Sequence, residues 1–133
     1  MTQTRSALMF AAMGLVMACG GSNQITRSQR SDYYASLETA ARALTVAYEL
    51  ARAKLAPEDF EALYRPFKTA SNALIAAQDQ LDHDRAPNWA FVADAFGVLI
   101  EAVNSSPMSV PLALEQAYLN LTHRVPPSQG MGL

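Results

Sequence analysis

The chain has 133 residues, half of them apolar, and a formal charge of −2. That is room for one small domain, and enough apolar side chain to bury a core, so global disorder is excluded. The slightly acidic balance argues against a nucleic-acid partner, because phosphate neutralisation needs a basic surface.

Residues 1–19 read MTQTRSALMFAAMGLVMAC. Arg5 supplies a positive start, and an uncharged run follows from Ala7 to Ala18. As a helix that run rises only about 18 Å, too short for a hydrocarbon core of roughly 30 Å, and it matches a secretory signal peptide. Cys19 is the single cysteine, so no internal disulfide or thiolate metal cluster can form. It closes the tetrapeptide Val16-Met17-Ala18-Cys19, which resembles the lipobox of bacterial lipoprotein precursors. The resemblance covers residues 1–19 only. It implies cleavage between Ala18 and Cys19, a diacylglycerol on the Cys19 sulfur and acylation of the new amino group. In a Gram-negative host, Gly20 in place of an aspartate implies the outer membrane, facing the periplasm. Removing residues 1–18 takes away Arg5 and no acid, moving the charge from −2 to −3.

Residues 19–27 include Gly20-Gly21-Ser22-Asn23-Gln24, small and polar, and read as a flexible tether. A helical domain is expected over 28–125. Alanine, leucine and glutamate are common there, while Gly97 is the only glycine between Tyr33 and Val103, a composition that favours helix over strand.

The first helix carries Tyr34, Leu37, Ala41, Leu44, Tyr48, Ala51 and Leu55 at alternating steps of three and four, a heptad stripe on one face. Glu38 and Arg42 are spaced for a surface ion pair. Ala56-Pro57 ends this element. The second stripe is Phe60, Leu63, Phe67, Ala70, Leu74, Ala77 and Leu81. Pro57 suits its first helical position, with Glu58, Asp59 and Glu61 complementing the helix dipole. Pro66 removes one ladder bond and clashes with the carbonyl of Ala62, which predicts a kink or a restart.

The third stripe, opened by Pro87, is Trp89, Val92, Phe96, Leu99 and Val103; a weaker fourth is Leu114, Tyr118, Leu121 and Val125. Asn104-Ser105-Ser106-Pro107 reads as a loop, with Ser109 as the next cap and Pro111 in the first turn. Residues 126–133 are expected to form a disordered tail. Four amphipathic helices on short links predict an all-α, antiparallel up-down helical bundle, a long hairpin plus two shorter helices. The long pair should run about 25 residues each, or about 38 Å. An extended hairpin completed by homodimerisation satisfies the same spacing.

Chemistry-bearing residues are sparse. Asp79, Asp82, His83, Asp84 and Arg85 could hold a divalent cation or tune a proton-transfer group; a solvated connection between helices explains them equally simply, and is preferred because nothing makes them converge. His123 and Arg124 suit a helix C-terminus. Ser105, Ser106 and Ser109 sit in no nucleophile motif. Neither cofactor nor metal is expected, nor catalysis. Tyr34 and Tyr48 belong to the core stripe, whereas Tyr33 and Tyr64 lie off the stripes. With Arg65 and Lys68 they are candidates for a partner surface, since tyrosine is enriched at binding hot spots.

These features fit a non-catalytic, lipid-anchored envelope protein with a protein partner. A lipid-anchored hydrolase built on the Asp82–Arg85 region, or a carrier holding an apolar ligand between helices, are the competing classes. In size and layout the chain is also similar to lipoproteins of phages and prophages, which implies superinfection exclusion or lysis as an alternative.

Overall fold

The computed structural model describes residues 25–126, and among them finds four α-helices and no strand. The signal sequence, Ala18, Cys19, most of the tether and all of the tail except Pro126 lie outside the described residues. Helix α1 runs Arg27–Lys54, α2 Pro57–Asp82, α3 Trp89–Asn104 and α4 Leu112–Arg124. The ends follow local chemistry. Thr26 and Gln29 form a reciprocal capping box, each side chain bonding the other's backbone N–H, so helix begins at Arg27, inside the stretch read as tether. Leu55 and Ala56 are extended ahead of Pro57, which opens α2 with Glu58 and Asp59 in its first turn. Asn88 caps α3 through its side chain.

Of the kink or restart expected at Pro66, the restart does not occur, and α2 passes through Pro66 as one helix. Leu63, Phe67 and Ala70 are all buried around that turn, and their packing offsets a lost ladder bond and clash worth about 3 kcal/mol. The cap of α4 is Pro111, not Ser109. Pro111 is extended and contributes no side-chain bond, so α4 starts one residue later, at Leu112.

The helices form a closed ring in which α1 packs on α2 and α4, and α3 packs on α2 and α4. Tyr34 near the start of α1 bonds Asp82 at the end of α2, and Arg124 at the end of α4 bonds Asp32 near the start of α1. Neighbours therefore run antiparallel, in up-down order. The bundle has a near end, where α1 begins and α4 finishes, and a far end, where α1 turns into α2.

The core matches the expected stripes closely on α2 and α3. All five α3 positions are buried, and on α2 every position is buried except the half-buried Phe60. On α1 the register differs. Ala41 is exposed, Tyr34, Tyr48 and Leu55 are half-buried, and Ser36, Ala40, Ala43 and Ala47 are buried instead. A helix in a ring faces two neighbours, so its buried sector is wider than one heptad seam. On α4, Ala117 joins Leu114 and Leu121, Tyr118 is half-buried, and Val125 lies beyond the helix.

Candidate interaction surface

Two features stand out, one at each end of the bundle. Toward the far end, Leu44, Thr45 and Tyr48 of α1 and Tyr64, Phe67, Lys68 and Ser71 of α2 line an open groove of about 300 Å³. A second depression, sharing Tyr48 and Tyr64 with it, extends over Pro57, Phe60, Glu61 and Arg65. Tyr48 is the floor shared by both. Its ring meets Phe60 and Phe67 edge-on, at 5.3 and 5.4 Å between centroids, the arrangement that aromatic quadrupoles favour. Tyr64 is 53% exposed, and the Lys68 ammonium lies 5.9 Å from its ring centroid, within cation–π range. The helical repeat explains the grouping, because Tyr64 and Lys68 are one turn apart.

Three of the four expected surface residues, Tyr64, Arg65 and Lys68, thus come together at one place. Tyr33 stands apart from them at the near end. It is half-buried, packs edge-on against Trp89 at 5.2 Å, and lies under the Arg124 guanidinium at 5.4 Å.

The near end is held by polar contacts that sequence spacing did not signal. Arg124 bonds Asp32 at 2.7 Å, and its Nε donates to the hydroxyl of the buried Ser36 at 3.0 Å. Arg30 pairs with Asp84, and the Tyr34 hydroxyl donates to Asp82. The first turns of α1 are therefore tied to α4 on one side and to the α2–α3 connection on the other. The Arg124 hydrogen bond and charge hold the Asp32 carboxyl below the ordinary aspartate range. The hydrogen bond to Asp82 pushes the Tyr34 phenol above its ordinary value, with a smaller contribution from burial.

This arrangement also locates the acidic cluster. Asp79, Asp82, His83, Asp84 and Arg85 are all exposed. Asp82 and Asp84 are engaged with α1, and the His83 ring nitrogen lies 2.8 Å from the Asp79 carbonyl. Asp84 turns the chain at a φ of 62°, a left-handed conformation that aspartate tolerates better than most residues. His123 is exposed, with a ring nitrogen 2.9 Å from the Leu119 carbonyl of its own helix. Among the described residues, no three His, Cys, Asp or Glu side chains are grouped to hold a metal ion, and no helix is long and apolar enough to cross a membrane.

The aromatic floor could have been foreseen in part. Tyr48 falls in the core stripe by its spacing, and a tyrosine in a stripe is an amphipathic marker for a position at the core boundary. Thr45 and Ser71 carry no such signal. Compared with known proteins, the chain matches no family model, and neither a curated protein nor a solved structure is significantly similar to it.

Proposed function

We propose that this chain is a lipid-anchored cell-envelope protein whose helical domain binds a protein partner and performs no catalysis. The observation that carries the proposal is Val16-Met17-Ala18-Cys19 at the end of a short apolar leader. The domain geometry supports it. Ile25 enters the bundle at the near end, six residues after Cys19. Such a tether spans at most about 21 Å, so the near end would face the lipid. The Tyr48–Tyr64 groove lies toward the other end. Tyr64 is 18 residues of helix before the end of α2 at Asp82, or about 27 Å along the axis. A partner could then be met away from the headgroups. With Arg65 and Lys68 at its edge, the groove combines an aromatic anchor with cationic rim groups, a common composition for a protein contact.

Radiolabelled palmitate fed to cells expressing the wild-type chain and Cys19→Ala tests the anchor. Label on the wild type alone, with the protein in the membrane fraction, supports the proposal. An unlabelled wild-type chain, or equal labelling of Cys19→Ala, rejects it. Photocrosslinking from position 64, with position 38 on the exposed α1 surface as control, tests the groove.

A further inference from the structure

The two halves of the bundle differ in charge. Helices α1 and α2 carry both signs, with Arg42, Arg52, Lys54, Arg65 and Lys68 interspersed among acids. From residue 86 to residue 123 the chain holds Asp94, Glu101 and Glu115 and neither lysine nor arginine. All three carboxylates are exposed, and none has an ion-pair partner among the described residues.

The same half exposes large apolar side chains. Phe91, Asp94, Val98 and Glu101 follow one another at steps of three and four, so they share the outer face of α3. Phe91 and Val98 are each 52% exposed. Leu112, Glu115 and Leu119 share the outer face of α4 in the same way, with the two leucines more than half exposed. The helices are packed neighbours. Gly97 lets the half-buried Tyr118 ring lie against α3, since a Cβ there would stand 3.2 Å from Cε1 of that ring. Two adjacent faces thus present apolar rows interleaved with acids and free of lysine and arginine, with His123 one turn beyond Leu119 at the end of the α4 row.

We propose that the outer face of the α3–α4 pair docks a cationic amphipathic helix from a partner protein. The seam between two packed helices accepts a third at an axial distance of about 8–10 Å. Leucine-type residues on that helix would cover Phe91, Val98, Leu112 and Leu119, while its lysines or arginines meet Asp94, Glu101 and Glu115. Charge selects this occupant over the others. A second copy would set three carboxylates against three, and like charges across an interface are costly. Anionic lipid headgroups are repelled for the same reason. This surface is separate from both Cys19 and the Tyr64 groove, so its failure would leave those readings standing.

The test uses the full chain in a nonionic detergent and a fluorescein-labelled helical peptide of about three heptads, leucine at every third or fourth position and lysine elsewhere. Fluorescence anisotropy should report saturable binding that weakens as salt rises. The Asp94→Lys, Glu101→Lys, Glu115→Lys triple variant should lose about tenfold or more in affinity and prefer the glutamate version of the peptide. A control triple variant, Glu38→Lys, Glu49→Lys, Asp79→Lys, all exposed and outside both proposed surfaces, should stay within about twofold of wild type if the site is local. Phe91→Ser with Leu119→Ser should also weaken binding, with far-UV circular dichroism unchanged. Equal losses in the two triple variants would reduce the effect to net charge and overturn the proposal. So would self-association of the wild type that disappears in Phe91→Ser, since the face would then belong to a second copy.

Discussion

Arg124 is the side chain on which the near end converges. It reaches Asp32, Ser36 and the face of Tyr33 from a partly buried position. The exposed ion pair contributes little by itself. Ser36 is different, because its hydroxyl is buried and would lose its partner. Arg124→Ala should destabilise the fold by about 1–2 kcal/mol, through that orphaned hydroxyl and the lost packing on Tyr33. Urea unfolding measures this, and Ser36→Ala in the Arg124→Ala background should recover part of the loss. The same contacts set a pH response. Asp32 has a depressed folded-state value, so its contribution is present above the ordinary aspartate range and is lost as pH falls through the depressed value. Tyr34 has a raised value, so its contribution is present below the ordinary tyrosine range and is lost as pH rises through the raised value. Because Asp32 is exposed and Tyr34 only half-buried, the urea midpoint should fall only slightly at each extreme. Arg124→Ala should flatten the acid limb, and Tyr34→Phe the alkaline one.

At the scale of the element, α2 shows tertiary packing overriding a local rule. Pro66 sits inside the helix, half-buried, between the buried Leu63 and Phe67. Its carbonyl clash and missing N–H are intrinsic, so packing tolerates them without removing them. Pro66→Ala should therefore stabilise the protein by about 1–3 kcal/mol, read as a higher urea midpoint at unchanged m-value. A lower midpoint would mean that the surrounding core is shaped to the proline. Trp89 is a second element-level compromise. Its indole is 2% exposed and its N–H has no acceptor among the described residues. The edge-on contact with Tyr33 and the burial of a large ring offset that donor. Trp89→Phe should therefore cost much less than the roughly 3–5 kcal/mol expected of Trp89→Ala, as measured by thermal unfolding.

For the whole molecule, the ring of four helices puts unequal side chains around one core. Helix α1 contributes mostly alanines, Ala40, Ala43, Ala47 and Ala51 beside Leu37 and Leu44, whereas α3 contributes Trp89, Val92, Phe96, Leu99 and Val103 beside Ala93 and Ala95. The bulky half fills the centre, and the small half lets its neighbours approach. Leu99 is fully buried, so Leu99→Ala should cost about 2–5 kcal/mol in urea unfolding. Truncating a residue on the exposed α1 surface, such as Thr39, should change stability by less than about 0.5 kcal/mol. The two ends differ as well, with polar ties at the near end and an open aromatic groove toward the far end.

Residues close together along the chain determined the all-helical class, the helix count and most of the boundaries. Pro57 opening α2, the Glu38–Arg42 pair at 2.7 Å and the buried rows of α2 and α3 were legible because each depends on steps of one to four residues. Ala40, Ala43 and Ala47 of α1 were not, since alanine is equally at home on an exposed face and gives little periodic signal. Nor were the ties at the near end. Tyr34 and Asp82 are 48 residues apart and Ser36 and Arg124 are 88 apart, and only ring closure brings them within hydrogen-bonding distance. The placing of α3 beside α4, which makes neighbours of their acidic and apolar outer rows, belongs to that same level. The charges of those rows are readable one by one in the sequence, but helix-on-helix packing decides which of them share a surface.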